Sequence, residues 1–222
     1  MKEIVLDTET TGLSVKDGHR IVEIGCVELD DLVPTKNIFH SYLNPERKVS
    51  EQALKVHGYN DEFLSDKNKF SEIADKFLEF IKNKKIIIHN AEFDIAHINH
   101  ELEIAGKNKI STDFVIDTLD IARNKFPGSS ISLDALCKRF RIDNSKRDKH
   151  TALIDCELLA KVYINLLGQK EPTLNFNINN DSKITDNTKK NVKYSNKIIL
   201  PSPDEINNHK EFMKKNFKKN FY

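Results

Sequence analysis

The sequence predicts an α/β layer fold built on a mixed β-sheet. Strand-like segments dominate the first 44 residues, and from about residue 70 short apolar segments alternate with segments whose apolar residues recur at helical spacing. Strands followed by strand–helix alternation are typical of a sheet that is covered by helices. A length of 222 residues is compatible with one large domain, or with one ordinary domain that carries an appendage.

Three strands are expected near the N-terminus. Residues 3–8 form a short apolar run, and residues 20–30 and 37–44 have the composition of two further strands. The polar segment between the latter two contains Pro34 near its centre and is expected to be a connection. The two strands are therefore predicted to form an antiparallel hairpin beside the first.

The alternation of helices and strands begins with an amphipathic helix. Its apolar residues lie three and four positions apart, at Phe70, Ile73, Ala74, Phe77, Leu78 and Ile81. A buried strand is expected at 86–88, followed by a helix over 91–105 that Gly106 ends. The remaining predicted elements are a strand at 114–116 and helices over 117–124, 131–140 and 151–167.

The composition excludes several classes of protein. No apolar run approaches the roughly 20 residues that span a bilayer, and no signal peptide is visible at the N-terminus. Cys26, Cys137 and Cys156 are far apart and contain no CxxC pair. This pattern argues against a disulfide framework and a thiolate zinc site, and it fits a protein of the reducing cytoplasm.

Charge and composition change after Gly168. Residues 1–168 carry 24 Lys and Arg against 28 Asp and Glu, whereas residues 169–222 carry 11 Lys against 6 acids. A mildly acidic body does not suggest strong binding of duplex DNA. Asn and Lys dominate beyond Gly168, so 169–203 is expected to be a mostly disordered linker. A short helix is expected from Asp204 to Lys219.

The first candidate site is Asp7 with Glu9, at the end of the first predicted strand. Side chains two apart on a strand share one face, so these two carboxylates project together. Two anions that close repel each other unless a cation lies between them. A solvated strand end is the alternative, but the apolar run before Asp7 and the small residues after Glu9 favour a hard divalent metal site.

Two later segments supply further candidates. Asp94 lies in the first turn of a predicted helix, where an acid is also favoured by the helix dipole alone. Asp155 lies one turn into an otherwise apolar helix, so its charge requires a partner. His150 lies five residues before Asp155, just outside that helix, and could reach a bound water, although such a histidine is more often a loop or capping residue.

Together these residues provide four carboxylates and one base. Oxygen-only ligation favours Mg²⁺ or Mn²⁺ over zinc. Four carboxylates around two such ions match two-metal phosphodiester hydrolysis. Histidine is the side-chain type best suited to accept the proton of an attacking water at neutral pH.

The chain resembles the DEDDh family of 3′–5′ exonucleases, within the ribonuclease-H-like superfamily. Within that family it is similar to the proofreading subunits of bacterial replicative polymerases. The resemblance covers almost all of 1–168. It is carried by IVLDTETTGL (4–13), RIVEIGCVEL (20–29), VHGYNDEFL (56–64), IIIHNAEFDIAHINHE (86–101), FPGSSISLDALCKRF (126–140) and IDNSKRDKHTALIDCELLAKVY (142–163).

The resemblance implies a ribonuclease-H-like fold with a mixed five-stranded sheet, and it assigns roles to individual residues. Asp7, Glu9, Asp94 and Asp155 would ligate two divalent cations, Mg²⁺ or Mn²⁺, and His150 would be the general base. Asp7, Glu9 and Asp155 would also contact the substrate. The other implied substrate contacts are Thr8 and Thr10 at the 3′-terminal nucleotide, Leu13 as a wedge against its base, His57, and Gln52, which stands where relatives often carry Glu.

The resemblance also implies partners. The substrate would be single-stranded or frayed DNA 3′ ends, handled by a nuclease domain at 1–168. Residues 171–176 resemble the peptide with which bacterial replication proteins bind the sliding clamp, with Leu174 and Phe176 as anchors. Residues 204–222 are similar to a segment that binds the polymerase subunit. A disordered, solubilising extension is the alternative for the tail.

Three functions follow from these observations. The first is a proofreading exonuclease within a bacterial replicase, and the second is a free-standing DEDDh nuclease that trims RNA or short oligonucleotides. Residues 169–222 favour the first, since a free-standing nuclease does not need them. The third is a scaffold that has lost activity, but none of the four carboxylates is missing.

Overall fold

The computed structural model describes residues 2–145, 147, 149–168 and 200–216. The chain forms two compact units, 1–174 and 175–222, and each is described by itself. The strands of the first unit are β1 (Lys2–Thr10), β2 (Ile21–Asp30), β3 (Val33–Tyr42), β4 (Lys85–Ile88) and β5 (Val115–Asp117). Its helices are α1 (Glu51–His57), α2 (Asp61–Ser65), α3 (Phe70–Ile81), α4 (Ala91–Ile104), α5 (Thr118–Lys125), α6 (Leu133–Phe140) and α7 (Ala152–Leu166).

The five strands form one mixed sheet in the order β3-β2-β1-β4-β5. β1, β2 and β3 pair antiparallel, while β4 and β5 run parallel to β1. The predicted α/β fold with a mixed five-stranded sheet is therefore confirmed. β1 is the central strand, and its C-terminal end lies at the same edge as the C-terminal ends of β4 and β5.

Helices cover both faces of this sheet. On one face α3 and α4 pack over alternate residues of β1, including Ile4 and Leu6. On the other face α5, α6 and α7 pack over the intervening residues, including Val5. Because strand side chains alternate between faces, β1 sends successive residues to two different helical layers.

The connection between β2 and β3 differs from the expectation. The prediction of a polar connection around Pro34 is wrong. β3 begins at Val33, so only Asp31 and Leu32 join β2 to β3. Both turn residues have positive φ, at 47° and 66°, as tight hairpin turns require. Pro34 is accommodated because β3 is an edge strand.

Two short helices were not predicted. α1 and α2 contain seven and five residues, too few to give a clear helical period. Each begins with a side-chain cap, since Ser50 accepts from the amide of Ala53 and Asn60 from that of Phe63. Apart from the start of β3, which lies four residues earlier than predicted, the other predicted helices and strands of the first unit form with their ends displaced by at most two residues.

The second unit is described only at 200–216, where α8 spans Pro203–Asn216. Ser202 and Glu205 form a capping box at its start: the amide of Ser202 donates to Glu205 Oε2 at 2.8 Å, and the amide of Glu205 donates to Ser202 Oγ at 3.3 Å. Of the predicted linker, 169–203, residues 169–199 lie outside the described residues, and so does the predicted clamp-binding peptide at 171–176. Among the described residues, no helix is long and apolar enough to span a membrane.

Candidate active site

The end of β1 presents its polar residues to both helical layers. Alternation places Asp7 and Glu9 on the face covered by α7, and Thr8 on the face covered by α4. The pairing of β1 with β2 shifts register between Glu9 and Thr10. This irregularity ends the regular ladder beside the two carboxylates.

Asp94 approaches β1 from the first turn of α4. Its Oδ1 accepts from the Thr8 amide at 3.0 Å and from Thr8 Oγ1 at 2.6 Å. The helix start is itself held by Asp117 at the end of β5, whose carboxylate accepts from the amides of Asn90 and Ala91. The parallel strands therefore fix where Asp94 lies.

Asp155 approaches from α7, whose first turn packs directly on β2. A Cβ atom on Gly25 would lie 2.7 Å from the carbonyl carbon of Ala152, so only glycine permits this approach. The buried carboxylate of Glu23 accepts from the Ala152 amide at 3.0 Å, and Cys156 Sγ donates to the Gly25 carbonyl at 3.2 Å. These contacts place Asp155 over the end of β1.

His150 lies just before α7 and next to two of the carboxylates. One ligand atom from each of Glu9, His150 and Asp155 lies within 4.8 Å of the others. The His150 amide donates to the carbonyl of Val56 at 3.2 Å, which ties this segment to α1. The imidazole is 44% exposed and so is accessible to a water or a substrate.

The carboxylate cluster, comprising Asp7, Glu9, Asp94 and Asp155, is electrostatically unfavourable on its own. Burial, together with the charges of Asp94, Asp155 and Glu9, raises the pKa of Asp7 well above its usual value. Burial and the charge of Asp155 raise the pKa of Glu9 to about 8. Burial raises the pKa of Asp94 to about 7, although the hydrogen bonds from Thr8 oppose the shift.

Asp155 differs from the other three because it has a cationic partner, Arg147. Burial alone would raise its pKa, but the neighbouring His150 and Arg147 side chains hold the pKa of Asp155 below its usual value. Arg147 Nε lies 2.5 Å from Asp155 Oδ1. The cluster therefore still lacks positive charge on the side of Asp7, Glu9 and Asp94.

The donor set fits hard divalent cations. All four members of the cluster offer carboxylate oxygens, and no cysteine of the described residues takes part in the metal-ligating group of Glu9, His150 and Asp155. Oxygen ligands are those that Mg²⁺ and Mn²⁺ prefer. Bound cations would also relieve the repulsion that raises the pKa values of these acids.

Two adjoining cavities open at this edge of the sheet. The first, of about 290 Å³, contains the carboxylate cluster and His150. The second, of about 360 Å³, is mainly apolar, and we call it the apolar slot. Its walls are Thr8, Glu9, Thr10, Gly12, Leu13, Ser50, Gln52, Ala53, Val56, His57 and Phe93.

The structure distributes the predicted substrate residues over the two cavities. Asp7 and Asp155 line only the carboxylate cavity, and the apolar slot is lined by Thr8, Glu9, Thr10, Leu13, Gln52 and His57. Leu13 is 78% exposed at its rim, as expected of a side chain that awaits a partner. Thr8 Oγ1 is already bonded to Asp94, and Thr10 Oγ1 donates to the Gly12 carbonyl at 2.7 Å. In this conformation both hydroxyls donate to protein acceptors. They therefore form part of the wall of the slot and do not offer it a hydrogen-bond donor.

His57 lies at the inner wall of the apolar slot. Its Nδ1 accepts from the Tyr59 amide at 3.0 Å, and its Nε2 donates to the Thr10 carbonyl at 3.2 Å. Burial lowers the pKa of His57. The buried imidazole is therefore neutral here and presents its ring to the slot.

Sequence reasoning missed two residues of this site. Phe93 lines both cavities, and its only signal was its position next to Asp94. Arg147 is the cation beside Asp155. It lies in a polar segment between α6 and α7 that shows no apolar periodicity. A single basic residue shortly before His150 could have suggested a counter-charge. Nothing in its spacing, however, showed that its side chain points towards Asp155.

The fold and the cluster together define a class of protein. A mixed sheet of this order, with carboxylates at the ends of β1, α4 and α7 and a histidine beside them, is the arrangement of a ribonuclease-H-like, metal-dependent exonuclease.

Comparison with known proteins agrees with this class. The family model RNase_T, described as an exonuclease, matches residues 4–163. DNA polymerase III subunit epsilon of Rickettsia felis is 46% identical over 219 residues, which cover 96% of each chain. The Escherichia coli protein of the same name is 47% identical over 174 residues, covering 75% of this chain and 72% of that one.

Solved structures share the fold. A structure titled "Exonuclease X in complex with 5' overhanging duplex DNA" has a TM-score of 0.59 at 26% identity, covering 75% of this chain and 92% of that one. The nuclease domain of 3'hExo, described as a DEDDh family member, has a TM-score of 0.66 at 18% identity, covering 76% and 92%.

The chain belongs to this exonuclease family, in the group that contains the DNA polymerase III epsilon subunits. It is accordingly a 3′–5′ exonuclease, an enzyme that hydrolyses phosphodiester bonds, and enzymes of this family depend on divalent metal ions. The resemblance expected from the sequence is confirmed.

Proposed function

We propose that this chain is the proofreading exonuclease of a bacterial DNA polymerase III and acts in the cytoplasm, where replication takes place. It removes mispaired terminal nucleotides from DNA 3′ ends. The observation that carries the proposal is the convergence of four carboxylates and one histidine beside the apolar slot. The assignment to a DNA polymerase III is supported by the names of relatives that match 96% of the chain.

In this proposal Asp7, Glu9, Asp94 and Asp155 hold two divalent cations, Mg²⁺ or Mn²⁺. When bound, such a pair activates water and neutralises the charge that develops on the phosphate. The chain's own contribution is to fix the ligands: Thr8 fixes Asp94, and Gly25 lets α7 bring Asp155 close.

His150 acts as the general base. It lies at the mouth of the carboxylate cavity and is accessible from solvent, so its imidazole can accept the proton of an attacking water. The bond that forms joins the water oxygen to the terminal phosphorus. The bond that breaks releases the 3′ oxygen of the remaining strand, which takes up a proton from solvent and becomes a hydroxyl. The accepted proton then leaves to solvent.

The apolar slot holds the terminal nucleotide. Leu13 and Phe93 supply apolar surface for a base, while Thr8, Thr10, Gln52 and His57 border the sugar and phosphate. Asp7, Glu9 and Asp155 would also contact the substrate, because the metal ions that they would hold neutralise charge on its phosphate. Apolar walls do not distinguish base edges, so selection depends on which ends can unpair.

Selection for errors follows from the cost of unpairing. A mismatched terminal base is unpaired and unstacked at lower cost than a matched one. A body that carries more acidic than basic residues binds the DNA backbone weakly. Delivery of the 3′ end by a polymerase offsets this weak affinity through a high effective concentration.

The tail provides that delivery. We assign 1–168 to the nuclease, 169–203 to a linker and 204–222 to binding of the polymerase alpha subunit. α8 supports this division because it is a capped helix with apolar Ile206 and Phe212 on its surface. Residues 171–176 are proposed to bind the sliding clamp weakly.

The exonuclease activity is tested on a 3′-labelled DNA strand with Mn²⁺. Wild-type protein is expected to release mononucleotides, faster from a mispaired than from a paired end. Asp7→Ala and Asp155→Ala are expected to release none, whereas Glu62→Gln, an exposed acid on α2, serves as the charge-matched control. Retained release by Asp7→Ala would refute the ligand assignment, and faster cleavage of an RNA strand would favour an RNA-trimming nuclease.

Binding to the polymerase is tested by co-purification of the full chain with the alpha subunit. Ile206→Glu places a charge on the apolar side of α8 and is expected to abolish co-purification. Asn208→Glu introduces the same charge two residues away and is the matched control. If both variants bind like the wild type, α8 is not the docking segment.

A further inference from the structure

Arg147 lies at the centre of the candidate site but is not one of its carboxylates or its base. Its side chain is only 7% exposed. Nε and Nη2 donate to the two oxygens of Asp155 at 2.5 and 2.8 Å. Nη2 also donates to His150 Nδ1 at 2.7 Å, and Nη1 lies 2.7 Å from Asp134 Oδ1.

These contacts occupy atoms that catalysis needs. Both oxygens of Asp155 are bound by one cation, so a divalent ion at Asp155 meets a like charge a few ångströms away. A guanidinium only donates hydrogen bonds, so His150 Nδ1 must be the acceptor. The imidazole proton then sits on Nε2, and the ring has no lone pair left for a proton from water.

Arg147 also has an anchor outside the cluster. Asp134 lies in the first turn of α6, and its carboxylate is 57% exposed at the rim of the cavity. The guanidinium can therefore leave Asp155 and His150 while it keeps its contact with Asp134. Its position facing the carboxylate cavity distinguishes it from a buried structural arginine.

We propose that Arg147 is an exchangeable counter-cation that holds Asp155 and blocks His150 until a divalent ion displaces it towards Asp134. Arg147 is thus a positioning residue that acts through Asp155 and His150. The proposal rests on the metal site of the proposed function. The proposal couples metal binding to proton transfer. A divalent ion that binds Asp155 displaces Arg147, and this displacement frees His150 to act as a base.

The first test measures Mn²⁺ binding to the full chain by calorimetry, without nucleic acid. Arg147→Gln is expected to bind Mn²⁺ roughly 5-fold or more tightly than the wild type, because the competing cation is gone. Its melting temperature in EDTA is expected to fall below that of the wild type, and the difference is expected to close with saturating Mn²⁺. Lys138→Gln on α6, an exposed site with the same charge change, is the control.

Two further arms keep the proposal open to refutation if Arg147→Gln does not fold. Arg147→Lys retains the charge but cannot bridge both oxygens of Asp155, so it is expected to bind Mn²⁺ with intermediate affinity. In the wild type, the NMR signals of Arg147 Nε and His150 Nδ1 are expected to shift when diamagnetic Mg²⁺ is added.

The results that would refute the exchange of Arg147 differ from those that would refute the proposed function. Equal or weaker Mn²⁺ binding by Arg147→Gln, or an Arg147 signal that does not move with Mg²⁺, would show a permanent structural clamp and overturn the exchange. Absence of Mn²⁺ binding by the wild type would instead refute the metal site itself.

Discussion

Asp7 is surrounded by Glu9, Asp94 and Asp155, and the resulting repulsion opposes folding of the metal-free protein. Asp7→Asn removes one charge and preserves the shape of the side chain. We expect the free energy of unfolding in EDTA to rise by about 1–2 kcal/mol. We also expect the rate of mononucleotide release to fall roughly 100-fold or more, since a bound metal stabilises the transition state by several kcal/mol.

Urea unfolding in EDTA and a 3′-end release assay measure the two effects. Glu62→Gln is expected to change neither. An Asp7→Asn protein that is less stable than the wild type in EDTA would show that the cluster is not under electrostatic strain.

His150 separates metal binding from proton transfer. His150→Ala is expected to slow turnover by roughly 10²–10⁴-fold, the usual contribution of a general base. The affinity for Mn²⁺, measured by calorimetry, is expected to stay within about 2-fold because the four carboxylates remain. His209→Ala on α8 is the control for loss of an imidazole, and a large drop in metal affinity would reassign His150 as a ligand.

Asp7 and Asp155 could be predicted from the sequence because each stands out against an apolar background, whereas Asp94 and His150 became candidates only in combination with them. Asp7 follows an apolar run, and Asp155 interrupts an apolar helix. Arg147 could not be predicted, because a charged residue in a polar segment has no contrast and its direction depends on where Asp134 and Asp155 lie. Phe93 was equally hidden, since an aromatic residue on a helix usually belongs to the core.

At the level of elements, the position of α7 depends on one glycine. Gly25→Ala would place a methyl group 2.7 Å from the Ala152 carbonyl carbon, so α7 must move away from β2. We expect a loss of stability of about 1–3 kcal/mol and a Mn²⁺ affinity that is lower by roughly 10-fold or more, because Asp155 moves with the helix.

Unfolding in urea and calorimetry test this displacement. Cys26→Ala is the matched control, since this neighbouring side chain belongs to the core on the α3 side of the sheet. It should lower stability while metal affinity is retained. If Gly25→Ala binds Mn²⁺ normally, the first turn of α7 does not set the position of Asp155.

Glu28 on β2 binds Lys2 on β1 and Lys84, the residue just before β4, at the opposite end of the sheet. Its carboxylate, 3% exposed, lies 2.8 Å from Lys84 Nζ and 3.1 Å from Lys2 Nζ. The hydrogen bond from Lys84 lowers the pKa of Glu28 from 4.5 to about 2. A lowered carboxyl pKa stabilises the fold above pH 4.5, and this contribution is lost as the pH falls towards 2.

Glu28→Gln tests this linkage. At pH 7 we expect the variant to be less stable than the wild type by about 1–2 kcal/mol, allowing for screening around Lys2. The difference should shrink as the pH is lowered from 4.5 to about 2. Urea unfolding across this range measures it, and a difference that does not depend on pH would refute the ion pair as its source.

Long elements with a clear apolar periodicity could be predicted from the sequence, whereas short elements could not. The apolar spacing of α3 placed its first and last residues correctly, because helical periodicity is unambiguous over twelve residues. The β2–β3 turn was misplaced because proline usually interrupts strands, whereas an edge strand tolerates Pro34. The antiparallel hairpin of β2 and β3 beside β1 was predicted, but the pairing of β4 and β5 could be given only as a class, since pairing between distant segments leaves no local pattern.

For the whole molecule, metal binding should link the central strand to both helical layers. Asp7 and Glu9 lie on β1, Asp94 on α4 and Asp155 on α7, so ions bound to all four crosslink three elements. Mn²⁺ at 100 times its dissociation constant is expected to raise the free energy of unfolding by about 2.7 kcal/mol. Asp155→Asn should lose most of this gain, and an equal gain in that variant would place the metal elsewhere.

The approach of α7 to β2 through Gly25 has a consequence for synthesis of the protein. Asp155 and His150 are the last members of the site to leave the ribosome, and until α7 docks only α5 and α6 cover its face of the sheet. A nascent chain that has reached only α6 has neither its fourth carboxylate nor its base. The nuclease is therefore inert until α7 has been made, and its activity begins only when this helix docks.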